Sequence, residues 1–227
     1  MQSSALLIDV LEFVLLLLSL TVHECAHAWT ASRLGDQTAR MMGRISLNPM
    51  DHIDPIGTLL IPAIAIFGPL IGIGYLGGYI FGWAKPVPVI SRNFGNYRRD
   101  DMLVSLAGPA SNLLLAVLAF FGLAAVLFTE RFLPQGAEPS VAQQSLVMLF
   151  NIALQLNLVL CIFNLIPIPP LDGSHVLRQF LSYNATQAFD RITGFASYIL
   201  IIFVARFLLG PLMNPVLGIA YSLLRHI

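Results

Sequence analysis

From residue 102 to residue 128 the chain carries no charged side chain. That run exceeds the roughly 20 apolar residues an α-helix needs to cross the hydrocarbon core of a bilayer. A second uncharged run covers 141–165. A third, 5–33, is apolar through its first half, and a fourth, 192–209, contains only Arg206. The stretch 56–83 is also apolar but is broken by Pro62, Gly68, Pro69, Gly72, Gly74, Gly77 and Gly78. After "GPLMNP", the tail 216–224 is long enough for half a helix. With 57% hydrophobic and 11% charged residues, against about 25% charged in a soluble domain, the chain reads as an all-α polytopic membrane protein. Five to six membrane segments are expected. They form a single domain over 1–227, with a core at 5–182 and additional membrane helices at 192–227.

The broken stretch 56–83 decides the topology. If it enters and returns on one side, Arg33, Arg40, Arg44, Lys85, Arg92, Arg98 and Arg99 share a face with Arg178 and Arg191. Only Arg131 and Arg225 then lie opposite. If it spans once, the basic residues divide almost evenly. Because cytoplasmic loops concentrate Lys and Arg, the re-entrant reading is preferred, and its Gly and Pro density suits irregular backbone buried in protein. The basic face is then cytoplasmic, and a plasma (inner) membrane location is expected. A net charge of zero gives nucleic-acid binding no electrostatic support. Cys25 and Cys161 both lie in apolar runs and read as small buried residues rather than a disulfide. The first ten residues carry no Lys or Arg and no A-x-A site follows, so a cleaved signal peptide is not expected.

Inside the first apolar run stands "HECAH", residues 23–27. It matches H-E-x-x-H, in which two histidines four residues apart on a helix bind one zinc and the glutamate acts as general base. Asp9, Glu12, Ser19, His23 and His27 fall on one stripe of that helix at about 100° per residue. Ionisable groups at membrane depth are costly and face a bundle interior or a wet cavity. A catalytic zinc takes three protein ligands and keeps a fourth position for water, so one ligand is still to be found. Asp172, Asp54, His52 and His175 are the candidates. Asp172 follows Pro167, Pro169 and Pro170, which cannot continue the preceding helix. That helix places Asn157 and Asn164 on one face.

Taken in order, "HECAH" in an apolar helix, "LAGPASN" opening a later one and "NLIPIPPLDG" closing another resemble the site-2 proteases, a family of intramembrane zinc metallopeptidases. The segments "GRISLNPMDHIDPIGT" and "FGWAKPVPV" are similar to the compact branch, which lacks appended regulatory domains, and none is expected in this length. The resemblance implies one Zn²⁺ per chain held by His23, His27 and Asp172, with Glu24 as general base. It implies that "FGWAKPVPV" is a short membrane-associated β element, an edge strand able to take an extended peptide by backbone pairing. It also implies that Asn112 and Asn164 contact the substrate, a transmembrane protein in the lipid bilayer. Because the first helix continues only about two turns past His27, to Gly35, the active site is expected nearer the cytoplasmic side. Two other readings share the sequence features, a metal-binding pseudoprotease and a broken-helix transporter. Metal content separates the transporter from the others, and turnover separates enzyme from pseudoenzyme.

Overall fold

In the computed structural model a single helix, α1 (Gln2–Arg33), carries the first apolar run. Its Leu6–Arg33 portion is long and apolar enough to cross a membrane. The described residues are 2–68, 84–134, 137–191 and 195–226. Along α1, Leu7, Val14 and Leu18 are exposed, whereas Leu16, Ser19, Leu20, His23 and His27 are buried. The apolar face thus remains for lipid, and Ser19, His23 and His27 of the polar stripe turn inward while Asp9 and Glu12 are half-buried.

Two compact units divide the chain, Met1–Gly108 and Pro109–Ile227. In the first, α1 stops where the backbone turns left-handed at Gly35, φ +115°. The Asp36 N–H then reaches back to the Ala31 carbonyl at 3.0 Å, the closing bond of a Schellman motif. A side chain at Gly35 would also press on the Asn93 carbonyl. Next come α2 (Thr38–Met41), a 3₁₀ turn at Pro49–Asp51 and a π-helical turn at Pro55–Leu60 that runs into α3 (Ile61–Phe67). Helix α1 packs against α2, α3 and the 3₁₀ turn.

A fully buried Asp36 organises this unit. It accepts from the Ile90 N–H at 2.7 Å, the Asn93 amide at 2.8 Å, and the Thr38 N–H and hydroxyl at 3.1 and 2.6 Å. Burial pushes its carboxyl up, but the bonds from Ile90, Thr38 and Asn93 outweigh that and hold it below the ordinary carboxylate range. The stabilisation is therefore present above about pH 4, the unfolded value. It is lost only as pH falls through the lower folded-state value. Each donor orphaned by loss of this carboxylate would cost about 1–3 kcal/mol.

Asp36 thereby pins one end of the segment 84–90. Arg44 and His52 pin the other: the Arg44 guanidinium donates to the Lys85 carbonyl at 2.6 Å, and the Lys85 N–H donates to the His52 carbonyl at 2.9 Å. The expected edge strand is 81–89; 84–89 of it fall in this segment, and 81–83 lie outside the described residues. Residues 84–90 have no regular secondary structure, and no strand forms among the described residues. Pro86 and Pro88 remove alternate donors, while the N–H groups of Val87 and Ile90 go to side chains instead of a partner strand. Of the broken stretch 56–83, helix is seen as far as α3, and 69–83 lie outside the described residues, so its re-entry is not observed.

Helix α4 (Tyr97–Glu130) carries the uncharged run, with Pro109 inside it, and is a second helix of spanning length. In the second unit α5 (Val141–Asn164) is the third. It starts at a capping box in which the Ser140 hydroxyl serves the Gln143 N–H and the Gln143 side chain serves the Ser140 N–H. Ala116, Ala119, Leu123 and Ala124 of α4 form a core with Leu154 and Leu158 of α5. A side chain at Gly122 would collide with the Phe150 ring. Small residues at such a seam let membrane helices approach closely. After α5 come α6 (Asp172–Arg178) and α7 (Tyr183–Asp190), then α8 (Phe195–Phe207) and α9 (Leu209–Leu224). Of the expected span over 192–209, α8 covers the described residues 195–207, while 192–194 lie outside the described residues. The expected half helix is a longer one that takes in Gly210, Pro211 and Pro215. Helix α9 packs on α5 and α8, and its Tyr221 hydroxyl donates to Asn151 of α5 at 2.7 Å.

Candidate metal centre

His23 and His27 stand at an i, i+4 spacing on α1, which places both imidazoles on one face. Both are buried. The rings meet edge to face, at 82° with centroids 4.7 Å apart, and their Nε2 atoms are 3.1 Å apart. His27 Nδ1 lies 2.7 Å from the Val104 carbonyl of α4. A carbonyl only accepts, so Nδ1 carries the proton and Nε2 keeps its lone pair. A metal-ligating histidine is oriented in this way by a partner on its other nitrogen.

The pair fits a metal ion. Two zinc–nitrogen bonds of about 2.0–2.1 Å at a tetrahedral angle put the nitrogens about 3.3 Å apart, close to the 3.1 Å seen. Gly108 adds a second, independent sign. A Cβ built on it would overlap His27 Nε2 together with Cε1 and Nε2 of His23. The space in front of both ligand atoms exists because residue 108 has no side chain. Beside the pair, Glu24 is half-buried, and its Oε2 accepts from the Val87 N–H at 3.1 Å. Pro86 and Pro88 flank Val87 and have no N–H, so the Val87 donor is the one this proline-rich turn can offer.

The remaining candidates of the first unit have structural roles. His52 is buried with Nε2 on the Ser46 carbonyl at 2.9 Å. Asp54 caps the π-helical turn, accepting from the N–H groups of Ile56 and Gly57 at 3.0 and 2.7 Å.

In the second unit Asp172 is the first residue of α6 and is half-buried. Gly173 beside it lies against the Leu165 and Ile166 carbonyls, where no side chain would fit. His175, three residues on, is exposed. Asn112 is fully buried and its amide donates to Asn157 at 3.0 Å. Asn164 is half-buried and donates to the Leu160 carbonyl of its own helix at 2.9 Å.

Sequence reasoning passed over Gly108, Val104, Val87 and Asp36. A signal existed for Gly108, because adjacent Gly and Pro inside a long helix both oppose helix formation and imply a close approach. Val87 and Val104 act through backbone atoms, which side-chain identity does not announce.

Comparison with known proteins places this arrangement. The profile of Peptidase family M50 matches residues 11–207. The chain belongs to peptidase family M50. The site-2 protease resemblance carried by the three motifs is thereby borne out. This M50 peptidase is 39% identical over 209 residues to "Putative zinc metalloprotease YwhC" of Bacillus subtilis (strain 168), covering 88% of this chain and 84% of that protein. It is 34% identical over 210 residues to "Putative zinc metalloprotease Rip2" of Mycobacterium tuberculosis (strain ATCC 25618 / H37Rv), covering 91% and 70%. The Mycolicibacterium smegmatis protein of the same name is 34% identical over 172 residues, covering 76% and 58%. No solved structure gives a significant match.

Proposed function

We propose that this M50 peptidase is an intramembrane zinc metalloprotease that hydrolyses peptide bonds within or near the transmembrane helices of other membrane proteins. One observation carries the reading. Two imidazole Nε2 atoms stand 3.1 Å apart over a side-chain-free glycine, in a helix long and apolar enough to cross a membrane. In this reading His23, His27 and Asp172 hold one zinc and Glu24 is the general base. When bound, zinc supplies a Lewis acid and lowers the pKa of water to about 7. Glu24 takes the proton of the attacking water and returns it to the leaving amine. The Val87 N–H on Oε2 keeps the carboxylate from swinging into the apolar helix face. Val104 keeps His27 in the ligating tautomer.

Substrate would enter along residues 84–90. Extended peptides add to an exposed backbone edge, and an unwound segment of a transmembrane helix has free backbone groups to offer. Pro86 and Pro88 contribute carbonyls but no N–H, so pairing there uses the substrate's donors. Asn112 and Asn164 are assigned to the substrate's backbone, each with one amide N–H already engaged by Asn157 and Leu160. Purified protein should cleave a single-span substrate in lipid, lose that activity to a zinc chelator and regain it with zinc. Cleavage untouched by complete metal removal would refute the reading.

The reading also gives the chain one catalytic domain with five to six membrane segments in the plasma membrane. The site lies toward the cytoplasm, because α1 continues only about two turns beyond His27. Single cysteines introduced at Arg40 and Arg92 should label from the same, cytoplasmic side, and one at Glu138 from the other. Labelling of positions 92 and 138 from a common side would exclude re-entry of 56–83.

A further inference from the structure

A cleft of about 410 Å³ lies at the C-terminal end of α1, lined by Trp29, Ser32, Arg33, Arg40, Gly43 and Ile45. Its Arg33 lies about 9 Å further along the helix axis than His27, and neither histidine lines it. We propose that this cleft binds the phosphate group of an anionic phospholipid.

Charge is the first ground. Arg33 and Arg40 are both exposed, and among the described residues neither guanidinium has a carboxylate partner. The nearest acid in sequence, Asp36, is fully buried and committed to Thr38, Ile90 and Asn93. Two cations therefore line one cleft without an internal counter-ion. The Arg33 guanidinium is 5.6 Å from the centroid of the Trp29 ring, which keeps it beside the indole.

Position and apolar surface favour a lipid over a dissolved anion. The cleft opens where a helix of spanning length ends. Tryptophan concentrates at that level of a bilayer, and Trp29 is 55% exposed. Clusters of Lys and Arg at the same level attract anionic headgroups. In the segment 41–50 that follows, Met41, Met42, Leu47 and Met50 are exposed, between 62% and 80%. Exposed large apolar side chains close in sequence to a basic cleft suit the boundary between headgroup and acyl chain. A free phosphate would satisfy the arginines but leave the tryptophan and the methionines uncovered. The inference does not depend on zinc or on turnover, and its test reads binding alone.

The test is native mass spectrometry of the full-length protein in neutral detergent, with phosphatidylglycerol, phosphatidylcholine or inorganic phosphate added. Phosphatidylglycerol should be retained in clear preference to phosphatidylcholine, and millimolar phosphate should not displace it. The double variant Arg33→Gln/Arg40→Gln should bind phosphatidylglycerol about 25-fold more weakly, about fivefold per arginine. A control with the same charge change at the exposed pair Arg92→Gln/Arg98→Gln should stay within about twofold of wild type. Equal retention of the two lipids by the wild-type protein would overturn the proposal. Ready displacement by inorganic phosphate would overturn it in favour of a free-anion site. Undiminished binding by a double variant that melts at the wild-type temperature would remove the arginines from the site.

Discussion

Glu24→Gln should lower peptide-bond hydrolysis by at least about a hundredfold while the protein keeps about one zinc per chain, the glutamate of H-E-x-x-H being the base and not a ligand. The substitution is close to isosteric. An amide oxygen can still accept from the Val87 N–H as Oε2 does at 3.1 Å, so residues 84–90 should hold their place. What disappears is the ability to take a proton from water and return it to the leaving nitrogen. The two readouts separate the possible failures. Activity well above the metal-free protein would show that Glu24 is not the base. Loss of zinc with loss of activity would show that it shapes the metal site.

Gly108→Ala should remove both zinc and activity, and the physical signs point in opposite directions for site and helix. Alanine is favoured over glycine within a helix by about 1 kcal/mol, so α4 itself should be no less stable. The added methyl, however, falls where His27 Nε2 and the ligating edge of His23 lie. Either the imidazoles rotate away or α4 moves back, and a move back would also break the 2.7 Å contact between His27 Nδ1 and the Val104 carbonyl. Zinc content measured beside the melting temperature distinguishes this from general damage. A variant with undiminished zinc and turnover would mean that the space over Gly108 is not where the metal sits.

The three long helices were legible because nothing competes with burial in lipid for uncharged runs of that length. The histidine pair was legible because i, i+4 spacing on a helix fixes the ligand face. Asp172 stands at the start of a helix after a proline-rich turn, as its neighbours Pro169 and Pro170 require. The end of the chain was misjudged for a definite reason. Gly210 and Pro211 read as breakers, yet they fall in the first turn of α9, where proline is tolerated because those N–H groups have no intrahelical partner. The edge strand is an expectation from the family resemblance alone, and no strand forms among the described residues. Residues 84–90 are held instead by the side chains of Asp36, Glu24 and Arg44 and by the His52 carbonyl, one backbone group at a time. Such anchors are tertiary, and no local periodicity announces them.

On the proposed function, two histidines of α1 and one aspartate at the head of α6 would hold a single zinc. Zinc content of the purified full-length protein, compared with Asp172→Ala and His175→Ala, tests it most directly. His175 is the sequence neighbour best able to substitute, but it is exposed, whereas Asp172 is half-buried and backed by a glycine packed onto the Leu165 and Ile166 carbonyls. A carboxylate with two imidazoles is an established catalytic zinc set. The account predicts about one zinc in the wild type and in His175→Ala, and little or none in Asp172→Ala. Full zinc in Asp172→Ala together with its loss in His175→Ala would contradict it.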